Sequence, residues 1–282
     1  MGSEVVKITK IKDGWESEIN LVEMTDGQHF VRKNYSEAVN LNHPTLMKEE
    51  WDTLVFLYSK GFSVPKPIRI DIDGVYMQYV RNGSLWDVYV KSDNDTKEML
   101  MQKYAKLLYD LHAVDVSSIK KPKNYKFVEN ELTEIRNIIE KHELCDYLKI
   151  LEKLESDSAN IMEQPLSFIH RDYHPWNVVI DKDGKLYAID IFFTQGDYRF
   201  DVGWAYVHMK RESGNPDFIQ FAESFLSEYI KLKPNAVTDF EFFKQLANLR
   251  WLANVRPGEW SEKPDYWQHM IRDAESIMTN YI

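Results

Sequence analysis

The first 80 residues of this 282-residue chain set the strongest limit on what it can fold into. Apolar and polar residues alternate along 4–12 (EVVKITKIK) and 18–24 (EINLVEM), the two-residue period of a β-strand. DGWES lies between them as a turn, and TDGQ (25–28), with its Asp-Gly pair, predicts a hairpin into a third strand, HFVRKNY (29–35). The period then changes. In LMKEEWDTLVFLYSKG, Met47, Leu54, Leu57 and Tyr58 fall at helical spacing, and Gly61 ends the run. VPKPIRIDIDGVYMQYV (64–80) returns to two strands about a turn at Asp73-Gly74. The order is β-β-β-α-β-β.

The remainder reads as mostly helical. Leu100, Tyr104, Leu107, Leu108 and Leu111 form one apolar stripe over 97–112. A second helical pattern covers 131–155 with a break near His142. A strand pair with its turn at Asp183-Gly184 follows, and from Asp201 onward four segments suit helices. RNGS (81–84) is the expected linker, so the boundary falls between residues 1–80 and residues 81–282. The expected class is α+β, with a small β-rich N-terminal lobe and a larger, mostly helical C-terminal lobe.

Composition excludes several classes of function. The single cysteine, Cys145, permits neither an intramolecular disulfide nor a cysteine-based metal cage. The net charge of −10 is spread evenly along the chain with no basic patch, which argues against nucleic acid as a partner. No secretory leader and no run of about 18 apolar residues is present, so we expect a cytoplasmic protein with no membrane partner.

The chemistry concentrates in residues 169–191, IHRDYHPWNVVIDKDGKLYAIDI. Four residues separate Asp172 from Asn177, and Asp190 follows beyond the Asp183-Gly184 turn. A carboxylate and an amide thus face a second carboxylate across a hairpin. Hard oxygen ligands of this kind suit Mg²⁺, which leaves the rest of its shell to phosphates and water. A further carboxylate can take a proton from a hydroxyl. Positioning, charge neutralisation and a base are what phosphoryl transfer needs.

HRDYHPWN followed by AID resembles the H-x-D-x-x-x-x-N catalytic loop and metal-binding Asp of the protein-kinase-like fold, in the form found in the aminoglycoside phosphotransferase and choline kinase superfamily. The resemblance extends over nearly the whole chain, including LLYDLHAVD and GDYRFDVGWA. It implies a bilobal kinase-like fold and transfer of the γ-phosphate of ATP, with Mg²⁺, to a small-molecule hydroxyl acceptor. It further implies Asp172 as the catalytic residue, and Asn177 and Asp190 as metal ligands. Nucleotide binding is expected from Gly14 and Ser17 in the first hairpin, Lys33 on the third strand, Glu50 as its helix partner, and the backbone of Gln78, Tyr79 and Val80 at the adenine. Glu49 is the neighbour that Glu50 must be told from. The chain departs from the pattern in having one glycine, Gly14, in the nucleotide loop. It reads His-Arg-Asp, as protein kinases do, yet only ten residues separate Asp190 from Asp201 and no Ala-Pro-Glu follows. That leaves no room for an activation segment and favours a small acceptor over a protein.

Plainer roles stand beside these. His170 and His174 suit loop structure, Asp201 a helix N-cap, Asp197 a turn, and His112 a satisfied core position. Lys33 taken alone is an ordinary surface lysine. Trp204, Tyr206, Trp251, Trp260, Tyr266 and Trp267 read mainly as core, with some lining an acceptor pocket where aromatic faces hold a cation. The competing functions are a catalytically inactive nucleotide-binding module and a zinc hydrolase using His170, Asp172 and His174. The zinc reading leaves Lys33, Asn177 and Asp190 unused.

Overall fold

The computed structural model describes residues 4–13, 17–119, 125–212, 214–257, 265–279 and 281. Its strands are β1 (Val5–Asp13), β2 (Ser17–Met24), β3 (His29–Tyr35), β4 (Pro67–Asp71), β5 (Gly74–Gln78), β6 (Ser167–Phe168), β7 (Val178–Ile180), β8 (Leu186–Ala188) and β9 (Gln195–Gly196). Its helices are α1 (Glu37–Asn42), α2 (Leu46–Ser59), α3 (Leu85–Tyr89), α4 (Asn94–His112), α5 (Phe127–Lys141), α6 (Leu148–Ser158), α7 (Tyr198–Lys210), α8 (Pro216–Leu232), α9 (Phe240–Val255) and α10 (Asp265–Thr279). They form two compact units, Met1–Val88 with Pro175–Phe193, and Tyr89–His174 with Thr194–Ile282.

The first unit is built on an antiparallel five-stranded sheet in the order β1-β2-β3-β5-β4. The β2–β3 reversal has Gly27 at φ 79°, in the left-handed region that glycine enters without steric cost. The β4–β5 turn lies at Ile72 and Asp73, one residue before the expected position, with Gly74 beginning β5. Gly74 has φ 146°, and a Cβ there would meet the Lys33 carbonyl oxygen at 2.4 Å, so glycine is what lets the strand come up against β3. α2 buries Glu50, Thr53, Leu54 and Leu57, a single helical stripe, and packs on β4 and β5. The short α1, capped by Ser36, was not expected from the sequence. The β7–β8 hairpin belongs to this unit as well: the Ser63 hydroxyl donates to the Leu186 carbonyl at 2.6 Å, and the Ala188 N–H donates to the Ser63 carbonyl at 2.9 Å.

Among the described residues, the regular structure of the second unit is helical apart from the short β6–β9 pair. Tyr104 of α4 stacks on Tyr173 at 4.5 Å and meets Phe221 and Phe225 of α8 edge-on. α7 crosses α9 with little separation at Gly203, where a Cβ would stand 2.8 Å from the Phe243 backbone. The expected break near His142 is present: α5 stops at Lys141, a 3₁₀ turn spans Cys145–Tyr147, and α6 begins at Leu148. α5 starts at Phe127, four residues before the expected onset. α7 starts at Tyr198, and its N-cap is Asp197, whose side chain accepts from the Arg199 N–H. Asp201, expected as the cap, instead lies inside the helix and is fully buried.

Candidate active site

In the first unit, β3 presents Lys33 and Tyr35 on its buried side, since they are two residues apart. α2 brings Glu50 to the same place. The Lys33 Nζ donates to Glu50 Oε1 at 2.9 Å, and the Tyr35 hydroxyl donates to Glu50 Oε2 at 2.6 Å. Glu49, one residue earlier, is exposed and accepts from the Thr45 hydroxyl, so the helical period separates the two carboxylates. Lys33 also donates to Asp190 Oδ1 at 2.6 Å. Burial works against the Lys33 charge, but Asp190 and Glu50 outweigh it and hold the ammonium well above its usual range.

Asp190 reaches Lys33 through the β7–β8 hairpin. Val178 pairs with Ala188, and beyond that pair the Ile189 N–H donates to the Asn177 carbonyl at 3.0 Å. Asn177 and Asp190 therefore leave the ladder at the same end. Asp190 has φ 60°, a left-handed conformation that Asp and Asn tolerate better than most residues, and its side chain is about half exposed. An amide oxygen and a carboxylate are a small, hard donor set. That fits Mg²⁺, which is bound through one or two protein ligands with phosphates completing the shell.

The other expected nucleotide contacts are dispersed. Ser17 opens β2 opposite Tyr35. Gln78 ends β5, where its N–H is spent on the Lys66 carbonyl at 2.9 Å, so that donor is already used. Tyr79 and Val80 follow the strand, half-buried and buried respectively. Gly14 lies outside the described residues.

In the second unit, Asp172 sits on a loop rather than on a strand, so the alternation of His170, Asp172 and His174 does not align their side chains. The loop is pinned by Asp201, which accepts the His170 N–H at 2.6 Å and the Arg171 N–H at 2.8 Å. His112 also meets Asp201, at 3.2 Å, and reaches the Tyr229 hydroxyl through its other ring nitrogen at 2.6 Å. Burial pushes the His112 pKa down although Asp201 pulls the other way. Arg171, at φ 66°, turns its guanidinium to Glu131 at 2.7 Å and Glu134 at 3.6 Å, and Arg250 closes the cluster. The arginine of His-Arg-Asp is thus paired with carboxylates of α5 within the chain.

The Asp172 carboxylate is half exposed; the Trp204 indole N–H donates to Oδ1 at 3.1 Å, and His174 Nε2 stands 3.4 Å from Oδ2. His174 stacks on His208 at 4.5 Å. Trp204 and Trp251 are buried, and Arg211 lies over both rings, at 5.5 and 4.2 Å. These two aromatic faces already hold a cation of the protein itself. Trp267 stacks on Trp251 at 6.3 Å, and Tyr206 donates its hydroxyl to Glu223. Trp260 and the Tyr266 side chain lie outside the described residues. Among those residues no group of three His, Cys, Asp or Glu is placed to hold a metal ion, and none of the helices is long and apolar enough to cross a membrane.

Sequence reasoning missed Tyr35, which was findable from its two-residue offset to Lys33. It singled out Asp201 and Trp204, but not their bonds to the 170–172 loop, which act across about thirty residues of chain.

The family model described as "Phosphotransferase enzyme family" (APH) matches residues 7–240. No curated protein matches the chain at a significant level. Solved structures do. An ethanolamine kinase of Plasmodium vivax superposes with TM-score 0.72 at 13% identity, covering 97% of this chain and 81% of that one. A choline kinase from Cryptosporidium parvum gives TM-score 0.65 at 13% identity over 98% and 87%. The ADP-bound aminoglycoside phosphotransferase APH(2'')-Ib gives 0.64 at 18% identity over 98% and 93%. The likeness is one of fold: α+β and kinase-like.

Proposed function

The chain belongs to the phosphotransferase enzyme family, and on that premise we propose that it moves the γ-phosphate of ATP to a hydroxyl of a small molecule. The observation that carries this reading is the buried Lys33, tied at once to Glu50 and to Asp190. A lysine so placed is held as a compact charge for phosphate oxygens. Ser17 and the backbone of Tyr79 and Val80 lie on strands or strand ends of the same sheet and are assigned to the nucleotide. Asn177 and Asp190 would hold Mg²⁺, which when bound supplies positive charge to the β- and γ-phosphates.

Asp172 is assigned as the base. It aligns the acceptor oxygen and takes the hydroxyl proton as the O–P bond forms, while the bond from the γ-phosphorus to the β-phosphate oxygen breaks and ADP leaves. Asp172 and Asn177 are five positions apart in the chain. The acceptor is an aminoglycoside-like or amino-alcohol compound, a class supported by the fold shared with kinases of both. Coupled ADP release from Mg·ATP across aminoglycosides, choline, ethanolamine, sugars and hydroxy amino acids tests the reading. Turnover with one class supports it. Tight Mg·ATP binding with no ADP from any acceptor would instead mark an inactive nucleotide-binding module.

A further inference from the structure

A buried indole N–H needs an acceptor, and the one Trp204 finds is unusual. Its ring is 6% exposed, yet it donates at 3.1 Å to Asp172, whose side chain is 48% exposed. The direction of this N–H is also fixed from behind. Trp204 packs on Phe200 at 5.9 Å and under the Arg211 guanidinium at 5.5 Å. Arg211 is itself fully buried between Trp204 and Trp251, and its Nε donates to Asn248 Oδ1 at 3.1 Å. Asn248 in turn donates to the Ala274 carbonyl at 2.7 Å. The ring is therefore held by Phe200 of α7 and by Arg211, which is itself fixed by Trp251 and Asn248 of α9.

We propose that Trp204 is a positioning residue for Asp172: its indole N–H holds Oδ1 so that Oδ2, beside His174, is presented to the acceptor hydroxyl. This rests on Asp172 being the base. With one oxygen held, rotation of the carboxylate about its terminal bond is stopped, and the basic lone pairs of the other face one direction. The charged and titratable groups around Asp172 include His174 on its own loop, with His208 of α7 stacked behind it, Tyr104 of α4, and Arg211 at the end of α7. Trp204 donates its hydrogen bond to Oδ1 from a ring packed against Phe200 and the Arg211 guanidinium.

Trp204→Phe keeps the ring and removes the N–H. It should lower kcat about ten- to a hundred-fold, the size expected for a misaligned reacting group, with KM for ATP unchanged. Turnover is read as ADP release from Mg·ATP, with water and with the best hydroxyl compound of the acceptor panel. In an Asp172→Asn background the same change should cost nothing further, because the oriented base is already gone. An independent readout is the ¹⁵N-indole resonance that disappears in Trp204→Phe: it should move upfield in Asp172→Ala. Unchanged kcat in Trp204→Phe, an equal loss in both backgrounds, or an indole resonance indifferent to Asp172→Ala would each overturn the proposal. If Trp204→Phe does not fold, the resonance in Asp172→Ala decides. Full turnover in Asp172→Asn would remove the base assignment and this inference together, whereas lost turnover there with a normal Trp204→Phe removes the inference alone.

Discussion

Replacing Glu50 with leucine removes one of the two carboxylates that hold the buried Lys33 ammonium. Glu50 is 2% exposed and receives hydrogen bonds from both Lys33 and the Tyr35 hydroxyl. Breaking a buried pair by removing one partner costs about 3–5 kcal/mol, because the remaining charge stays desolvated. Here the cost should sit near the lower end, about 3 kcal/mol, since Asp190 still holds Lys33 at 2.6 Å. Lys33→Met should cost a similar amount by stranding the Glu50 carboxylate. The double change, Lys33→Met with Glu50→Leu, leaves no buried charge and should recover to within about 1 kcal/mol of the parent. Urea unfolding of the four proteins, compared by midpoint at constant slope, measures this. All three variants should lose Mg·ATP binding by calorimetry, so stability returns in the double variant and function does not. Additive losses in the double variant would show that the two residues are uncoupled and refute the reasoning.

Gly203→Ala should destabilise by about 1–3 kcal/mol, because its methyl would meet the Phe243 backbone where α7 crosses α9; thermal unfolding checks it. Stability should fall as pH drops below about 6.5, at up to about 1.4 kcal/mol per pH unit for each buried histidine. His208 and His112 both have folded pKa values pushed below the usual imidazole range, chiefly by burial, so only the unfolded chain takes up protons there. His208→Phe should flatten the acid side of a stability–pH curve. Glu131→Gln, which loosens the buried partner of Arg171, should lower turnover and unfold at lower urea while leaving Mg·ATP affinity within about twofold of the parent.

The succession of strands along the first unit was legible because Asp-Gly turns and a two-residue period are local signals, whereas the sheet order β1-β2-β3-β5-β4 was not read. The choice of Glu50 over Glu49 was legible too, once α2 is drawn with Leu54 and Leu57 facing in. The short α1 and α3 carry too few residues to show a period. The start of α7 was misplaced because Asp197 and Asp201 are both plausible caps by type; only the fold shows that Asp201 is spent on the His170 and Arg171 N–H groups. The aromatic crowding of the C-terminal segments was visible, but not that Arg211 of the same chain occupies the faces of Trp204 and Trp251. Such contacts join residues distant in sequence, and no period records them.

The central claim is that Asp172 and Asp190 serve one phosphoryl transfer in different roles. Calorimetric titration of Mg·ATP into Asp172→Asn and Asp190→Asn, beside steady-state ADP release, tests it most directly. Losing a general base typically costs about 10²–10⁴-fold, so Asp172→Asn should bind Mg·ATP like the parent and turn over slower by that factor. Asp190→Asn removes the charge assigned to Mg²⁺ and should weaken Mg²⁺-dependent binding as well as turnover. Loss of Mg·ATP binding in Asp172→Asn, with binding untouched in Asp190→Asn, would contradict the account.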